Sequence, residues 1–340
     1  MMKILKFPLI LILYFVTNIA IFAKEVPSID IQKLWRLERT NFYFENDAFF
    51  NTDNQYSFGF KLSNVYFVPK VEYQWLKIPF IHKSKEAHFV SMGISQQMYT
   101  PKDIESSKLI VDDRPYAGWL YLEFGLYQST KAQLDSLTLQ FGIIGENSGA
   151  EFVQRKVHEL IGSQVPNGWN NQLNNELGVN LIYQHKWRFV PEPVFTIESN
   201  IVPFVEATLG NVKTQVSTGA LMRFGLNPIE DFGSSSIDVG GENGIPIRTN
   251  CLCPQYKPWS FTLNFAFAAK AVAHNIFLDG NSFSESHSVE KENFIAYVSY
   301  GFSARYEHFA IDYVLTSYSR QYKTEEKNHE YGSILFSYLY

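Results

Sequence analysis

The 340-residue sequence has little cysteine, little charge and, past its first segment, no long apolar run. Cys251 and Cys253 are the two cysteines. Spaced as C-L-C in a Gly/Pro-rich loop, they sit too close for a usual structural bridge. Local pairing outside the cytoplasm stays open, but two thiols do not make a metal site. Charged residues make up 19% of the chain, below the usual quarter. The formal net charge is −5, and no block of Lys and Arg could neutralise a run of phosphates, which excludes nucleic acid as a partner. Beyond the N-terminal segment no stretch reaches the roughly eighteen apolar residues that a membrane-spanning helix needs. Internal repeats and low-complexity tracts are absent as well. A hydrophobic content of 46% excludes intrinsic disorder.

What the chain has in abundance is aromatic: 29 Phe, 20 Tyr and 6 Trp. Where they go begins to be answered at the N-terminus. Lys3 and Lys6 precede an apolar run from Phe7 to Phe22, which ends at Ala23 before Lys24 and Glu25. A basic start, an apolar middle and a small residue at the break predict a secretory signal peptide over 1–23. An N-terminal membrane anchor is the other reading of the same run. Either way residues 24–340 are exported, with no further helix to hold them in a bilayer.

Alternation dominates the rest. Trp259, Phe261, Leu263, Phe265 and Phe267 share one face of a run whose other face carries Ser260, Thr262 and Asn264. Period two of this kind reads as a strand. It recurs in 137–143, in 294–302 and in the last residues, where Ile334, Phe336, Tyr338 and Tyr340 share a face. Candidate strands lie near 37–46, 55–67, 87–99, 116–129, 134–146, 174–189, 193–209, 212–226, 259–273, 291–306, 307–318 and 330–340. That makes about twelve, each long enough to cross an outer membrane when tilted. An even number closes an antiparallel barrel and satisfies every backbone group. The expected fold is therefore an all-β transmembrane barrel over 24–340, with the aromatics in lipid-facing bands and girdles. The competing fold is a soluble periplasmic β-sandwich, whose strands also alternate. Connections near 68–86, 100–115 and 227–258 are long and those near 189–193 and 306–308 short, an asymmetry expected between two barrel ends.

One segment breaks the pattern. Residues 149–162 read as a short helix with an apolar stripe of Phe152, Val153, Val157, Leu160 and Ile161, and Gly162 is placed for a C-cap. Gln154 and His158 are four apart and share a face. His158-Glu159 begins like a zinc-protease H-E-x-x-H, but residue 162 is Gly, so that motif fails. The plain alternative is a plug helix with an incidental His. A second cluster lies on the first hairpin, where Asn46, Asp47 and Ser57 bring together oxygen donors suited to a hard cation such as Ca²⁺. Asn and Asp are also common turn residues. A third run, Asp112-Asp113-Arg114, is either structural or meets an anionic headgroup.

Together these stretches resemble the outer-membrane lipid A 3′-O-deacylase family. The matching residues are Glu45-Asn-Asp47, Tyr56-Ser-Phe-Gly59, Met98-Tyr-Thr-Pro101, Asp113-Arg-Pro-Tyr116 and Ile143-Ile-Gly145. They continue with Val153-Gln154, His158, Ile161-Gly162 and Gly168-Trp-Asn-Asn-Gln-Leu173. The resemblance spans strand one to the last strand and implies a twelve-stranded barrel that uses Ca²⁺ to hydrolyse the ester holding the 3′ acyloxyacyl chain. It implies His158 as the general base that activates water, a task suited to imidazole with its ordinary pKa of about 6.5. It implies Gln154 as the group orienting the His or the water, and Asn46, Asp47 and Ser57 as groups binding Ca²⁺ or the oxyanion. Where the family carries a Glu six residues after the His, this chain has Gln164, which keeps an oxygen ligand and loses a charge. Lipid A of lipopolysaccharide and the surrounding outer-membrane lipids are the partners so implied, for a protein acting as a monomer. Two other functions compete. An outer-membrane phospholipase needs a His-x-Ser pair on a strand, and the runs at His82 and His287 fall in loops. A non-catalytic barrel, porin or adhesin, would carry no chemistry at His158.

Overall fold

The computed structural model describes residues 35–47, 55–68, 78, 87–233, 237, 241–242, 244–247, 257–326 and 328–340. The predicted signal peptide and both cysteines lie outside the described residues. Within them, twelve antiparallel strands close into a barrel. They are β1 (Arg36–Asn46), β2 (Gln55–Val68), β3 (Ala87–Thr100), β4 (Ala117–Ser129), β5 (Gln133–Ile144) and β6 (Glu176–Trp187). The rest are β7 (Glu198–Gly210), β8 (Lys213–Leu226), β9 (Trp259–Asn275), β10 (Phe294–Tyr306), β11 (Phe309–Tyr318) and β12 (His329–Leu339). Each pairs with its sequence neighbours, and β12 closes on β1 with Phe42 opposite Phe336. The closed ladder leaves no sheet edge, as a strand-built membrane protein requires. A soluble sandwich is ruled out. The expected strands are all present with small shifts at their ends. β7 starts later than 193 because Val194 and Ile197 bond each other across a tight turn.

Alternation sorts the two faces. On β9 the row from Trp259 to Phe267 is 44–52% exposed, while Ser260, Thr262 and Asn264 are buried. The exposed apolar row faces lipid and the polar row faces the lumen. At the end of the barrel that holds the C-terminus, Tyr306 stands opposite both Trp259 and Phe309, part of an aromatic girdle.

The lumen is packed. Part of the 227–258 connection turns back inside the barrel. Asp231 meets Arg223 at 2.6 Å and Arg39 at 3.5 Å. Glu242 meets Lys61 at 2.7 Å and accepts from Asn41 and Tyr43 at 2.8 Å each. Lys61 also pairs with Glu123 at 2.6 Å. Burial alone pushes both loop carboxyls up, but their cationic partners outweigh it and hold Asp231 and Glu242 below their ordinary values. The long connections are therefore not gathered at one end as expected. Those at 69–86 and 227–258 leave the end that carries the termini, and those at 101–116, 145–175, 276–293 and 319–328 leave the other.

That second end carries helix α1 (Ala150–Ile161), flanked by the left-handed glycines Gly149 (φ 69°) and Gly162 (φ 71°). Gly162 caps the helix as expected, its N–H donating to the His158 carbonyl. A four-residue turn of helix, α2 (Ile276–Asp279), follows β9. The predicted apolar stripe of α1 does not form its buried face. Ala150, Gln154 and His158 are buried, Val153 and Val157 are half-buried, and Phe152 and Leu160 are exposed. The helix is not a plug either, for a reason that lies in the wall it rests on.

Candidate active site

Strand parity locates the site. On β3 the row Met92, Ile94, Gln96, Met98 and Thr100 shares one face, and its first two members are exposed apolar side chains on the lipid side. On β4 the same holds for Gly118, Leu120, Leu122 and Phe124, with Leu122 and Phe124 exposed. Gln96, Met98 and Thr100 belong to that outward row, yet all three are buried. What covers them is α1 with its flanking loops. The Gln96 amide donates to the Ser148 carbonyl at 2.5 Å. A Cβ on Gly118 would fall 2.2 Å from Ser148 Oγ and 2.3 Å from the Ala150 Cβ, so only glycine admits this approach. Helix α1 therefore packs on the outside of the barrel wall, and the lumen is filled by other residues.

Beneath the helix lie Phe58, Met98, Tyr116, Ala150 and Trp169 in one apolar cluster. The Trp169 indole nitrogen donates to Gln154 Oε1 at 2.8 Å, and Trp169 is wholly buried. Gln154 Nε2 is buried too and has no acceptor among the described residues. One turn on, His158 Nδ1 bonds the main-chain carbonyl of Gln164. That bond puts the proton on Nδ1 and makes Nε2 the basic nitrogen. Gln164 thus reaches the imidazole through its backbone, while its side chain is exposed.

The hairpin half is on the same face. Asn46 ends β1 on the outward row, and its amide donates to the Ser57 carbonyl at 2.8 Å. Ser57 is an extra residue in β2: Tyr56 pairs with Tyr99 and Phe58 with Met98, leaving Ser57 as a bulge. The bulge brings the Ser57 hydroxyl to 2.5 Å from Thr100 Oγ1. Asp47 follows Asn46 and is wholly buried. The predicted residues thus form two groups, Asn46 with Ser57 and Gln154 with His158, on one face of the wall with Phe58 and Met98 between. Thr100, Gln96 and Trp169 complete them and had not been singled out as site residues. A usable signal for Gln96 and Thr100 was their position, polar side chains on a row otherwise facing lipid.

The Asp113 run is structural. The Asp113 carboxylate accepts from Lys102 N, Arg114 N and Tyr322 Oη, and Arg114 is buried between the Tyr99 and Tyr322 rings. It ties loops together and presents no cation to a headgroup.

Against known proteins, a family model described as outer membrane protein LpxR matches residues 9–340. The chain belongs to the LpxR family. The resemblance read from the motifs is borne out, and this LpxR-family barrel is an integral protein of the outer membrane. Its fold is similar to that of LpxR from Salmonella typhimurium, at a TM-score of 0.72 and 17% identity over 89% of this chain and 100% of that one. The β domain of the Bordetella autotransporter BrkA is more distant, at a TM-score of 0.39 and 9% identity over 89% of this chain and 97% of that one. No curated protein sequence matches the chain.

Proposed function

We propose that this LpxR-family protein is a lipid A 3′-O-deacylase, an outer-membrane esterase that removes the 3′ acyloxyacyl chain of lipid A. The observation that carries the reading is the burial of Gln154 and His158 against the lipid side of the wall. A hydrolase whose substrate is a bilayer lipid needs its base there, since an acyl ester reaches that face without crossing the barrel. His158 Nε2 takes a proton from water, and the water oxygen adds to the ester carbonyl. The tetrahedral intermediate then collapses with breakage of the ester C–O bond, and the same imidazole returns the proton to the sugar oxygen. Gln154, its oxygen held by Trp169, has its amide hydrogens left to orient the water or to bond the developing oxyanion.

Asn46, Asp47, Ser57 and Thr100 fit a hard cation, because all offer oxygen and none offers nitrogen or sulfur as a ligand. Among the described residues no group of three or more His, Cys, Asp or Glu is placed to hold a metal ion by itself. A Ca²⁺ site here would therefore combine one carboxylate, Asp47, with neutral oxygens. When bound, Ca²⁺ would polarise the ester carbonyl as a Lewis acid. A porin reading loses its basis with the packed lumen.

The test is expression in cells whose lipid A bears a 3′ acyloxyacyl group, with lipid A mass read by mass spectrometry. The wild type should remove that acyl mass and His158→Ala should leave it. Intact lipid A with both, in the presence of Ca²⁺, would sink the proposal.

A further inference from the structure

The exposed side of α1 has no role in the chemistry above. Phe152 is 67% exposed and Leu160 is 68% exposed, with Lys156 in line between them at four-residue spacing. The charged residues flanking this stripe are paired among themselves, Arg155 with Glu151 at 2.8 Å and Lys156 with Glu159 at 2.7 Å. In a helix on a water-facing surface the apolar side chains turn inward and the polar ones outward. Here Gln154 and His158 face the wall, while Phe152 and Leu160 face away from it.

The wall shows what lies beyond. Helix α1 is seated on Gly118 and Gln96, members of outward rows that continue into the lipid-facing Leu122, Phe124 and Ile94. Across the neighbouring ladders, Leu120 pairs with Ile143, and Ile143 pairs with Leu177, which is 61% exposed. Leu120 is the next outward residue below Gly118. The apolar band therefore reaches, within two strands, a ladder row one outward step from the residue on which the helix is seated.

We propose that the outer face of α1 is a membrane-contact surface, with Phe152 and Leu160 set among the acyl chains of the lipid surrounding the barrel. The lipid band and the helix face form one continuous surface. Lys156, its ammonium paired with Glu159, lies between Phe152 and Leu160 with its methylenes along the apolar stripe. This assignment concerns where the helix rests and does not depend on the chemistry assigned to His158.

The experiment uses the full-length barrel with Cys251→Ser and Cys253→Ser, carrying one nitroxide-labelled cysteine at a time. Labels go at Phe152, Leu160, Phe124 and Asp112, and the protein is reconstituted into phosphatidylethanolamine and phosphatidylglycerol vesicles. Electron paramagnetic resonance then compares relaxation by oxygen with relaxation by a water-soluble nickel chelate. Labels at 152 and 160 should favour oxygen, in the direction of the lipid reference at 124 and opposite to the loop reference at 112. Values matching position 112 overturn the proposal. So does shielding from both relaxants, which means that a protein neighbour covers the face. Heat-modifiable migration checks that each labelled barrel is folded, and none of these readouts uses deacylation.

Discussion

The indole nitrogen of Trp169 donates to the side-chain oxygen of Gln154 at 2.8 Å. Because an indole N–H can only donate, this contact fixes which end of the amide is oxygen. Trp169→Phe keeps an aromatic ring but removes the donor and leaves a gap where the indole's second ring was, and the unmatched buried acceptor alone costs roughly 1–3 kcal/mol. Deacylation of lipid A should fall by about 10–100-fold, the range expected when a reacting group is misplaced, with heat-modifiable migration retained. An unchanged rate would remove Gln154 orientation from the mechanism.

Gly118 sets the distance between helix and wall. Gly118→Val would force Ser148 and Ala150 outward while leaving the ladder hydrogen bonds of β4 intact. The barrel should still form, but cleavage within 149–162 by a soluble protease should speed up and deacylation should be lost. Equal cleavage rates in the variant and the wild type would mean that the helix is held by other contacts.

The metal reading separates Asp47 from Gln164. Asp47→Asn removes the one carboxylate of the donor set and should raise the Ca²⁺ needed for half activity by tenfold or more, on the order expected for losing a charged ligand. Gln164→Ala should change little, since the residue meets His158 through its main chain. Gln164→Glu returns a charge near the site and should lower the Ca²⁺ requirement. A Ca²⁺ titration of initial rate reads all three, and identical curves for Asp47→Asn and wild type would exclude Asp47 as a ligand.

The packed lumen gives the barrel an acid limit. The folded values of Asp231 and Glu242 lie below their ordinary values of 3.8 and 4.5. Their contribution to stability is complete above those ordinary values and is lost as the pH falls through the lower folded ones. The temperature at which heat-modifiable migration disappears should be flat from neutrality down to the carboxylate range and fall below it. Lys61→Met leaves Glu123 and Glu242 without their shared cation, a loss of about 3–5 kcal/mol. It should lower that temperature already at pH 7, and no shift there would mean that the Lys61 pairs do not stabilise the barrel.

Most of the barrel was legible because lipid and lumen impose opposite demands on alternate residues. A run such as 259–267 reports both faces at once. The pairing of Gln154 with His158 was legible from spacing alone. Which side of the wall they occupy was not, because a helix between strands can fold into the lumen or over the rim. Ser57 was legible as a hairpin oxygen donor, but its bulge was not, since strict alternation would have turned the residue inward. The lumen segment was hidden for another reason. Asp231 and Glu242 read as loop charges until the fold brings Arg39 and Lys61 to them from strands far away in sequence.

The segment bound by Arg39, Lys61 and Arg223 also bears on the wall that encloses it. Among the described residues that segment is held by side chains from three strands of the wall, so it ties β1, β2 and β8 together from within as well as through their ladders.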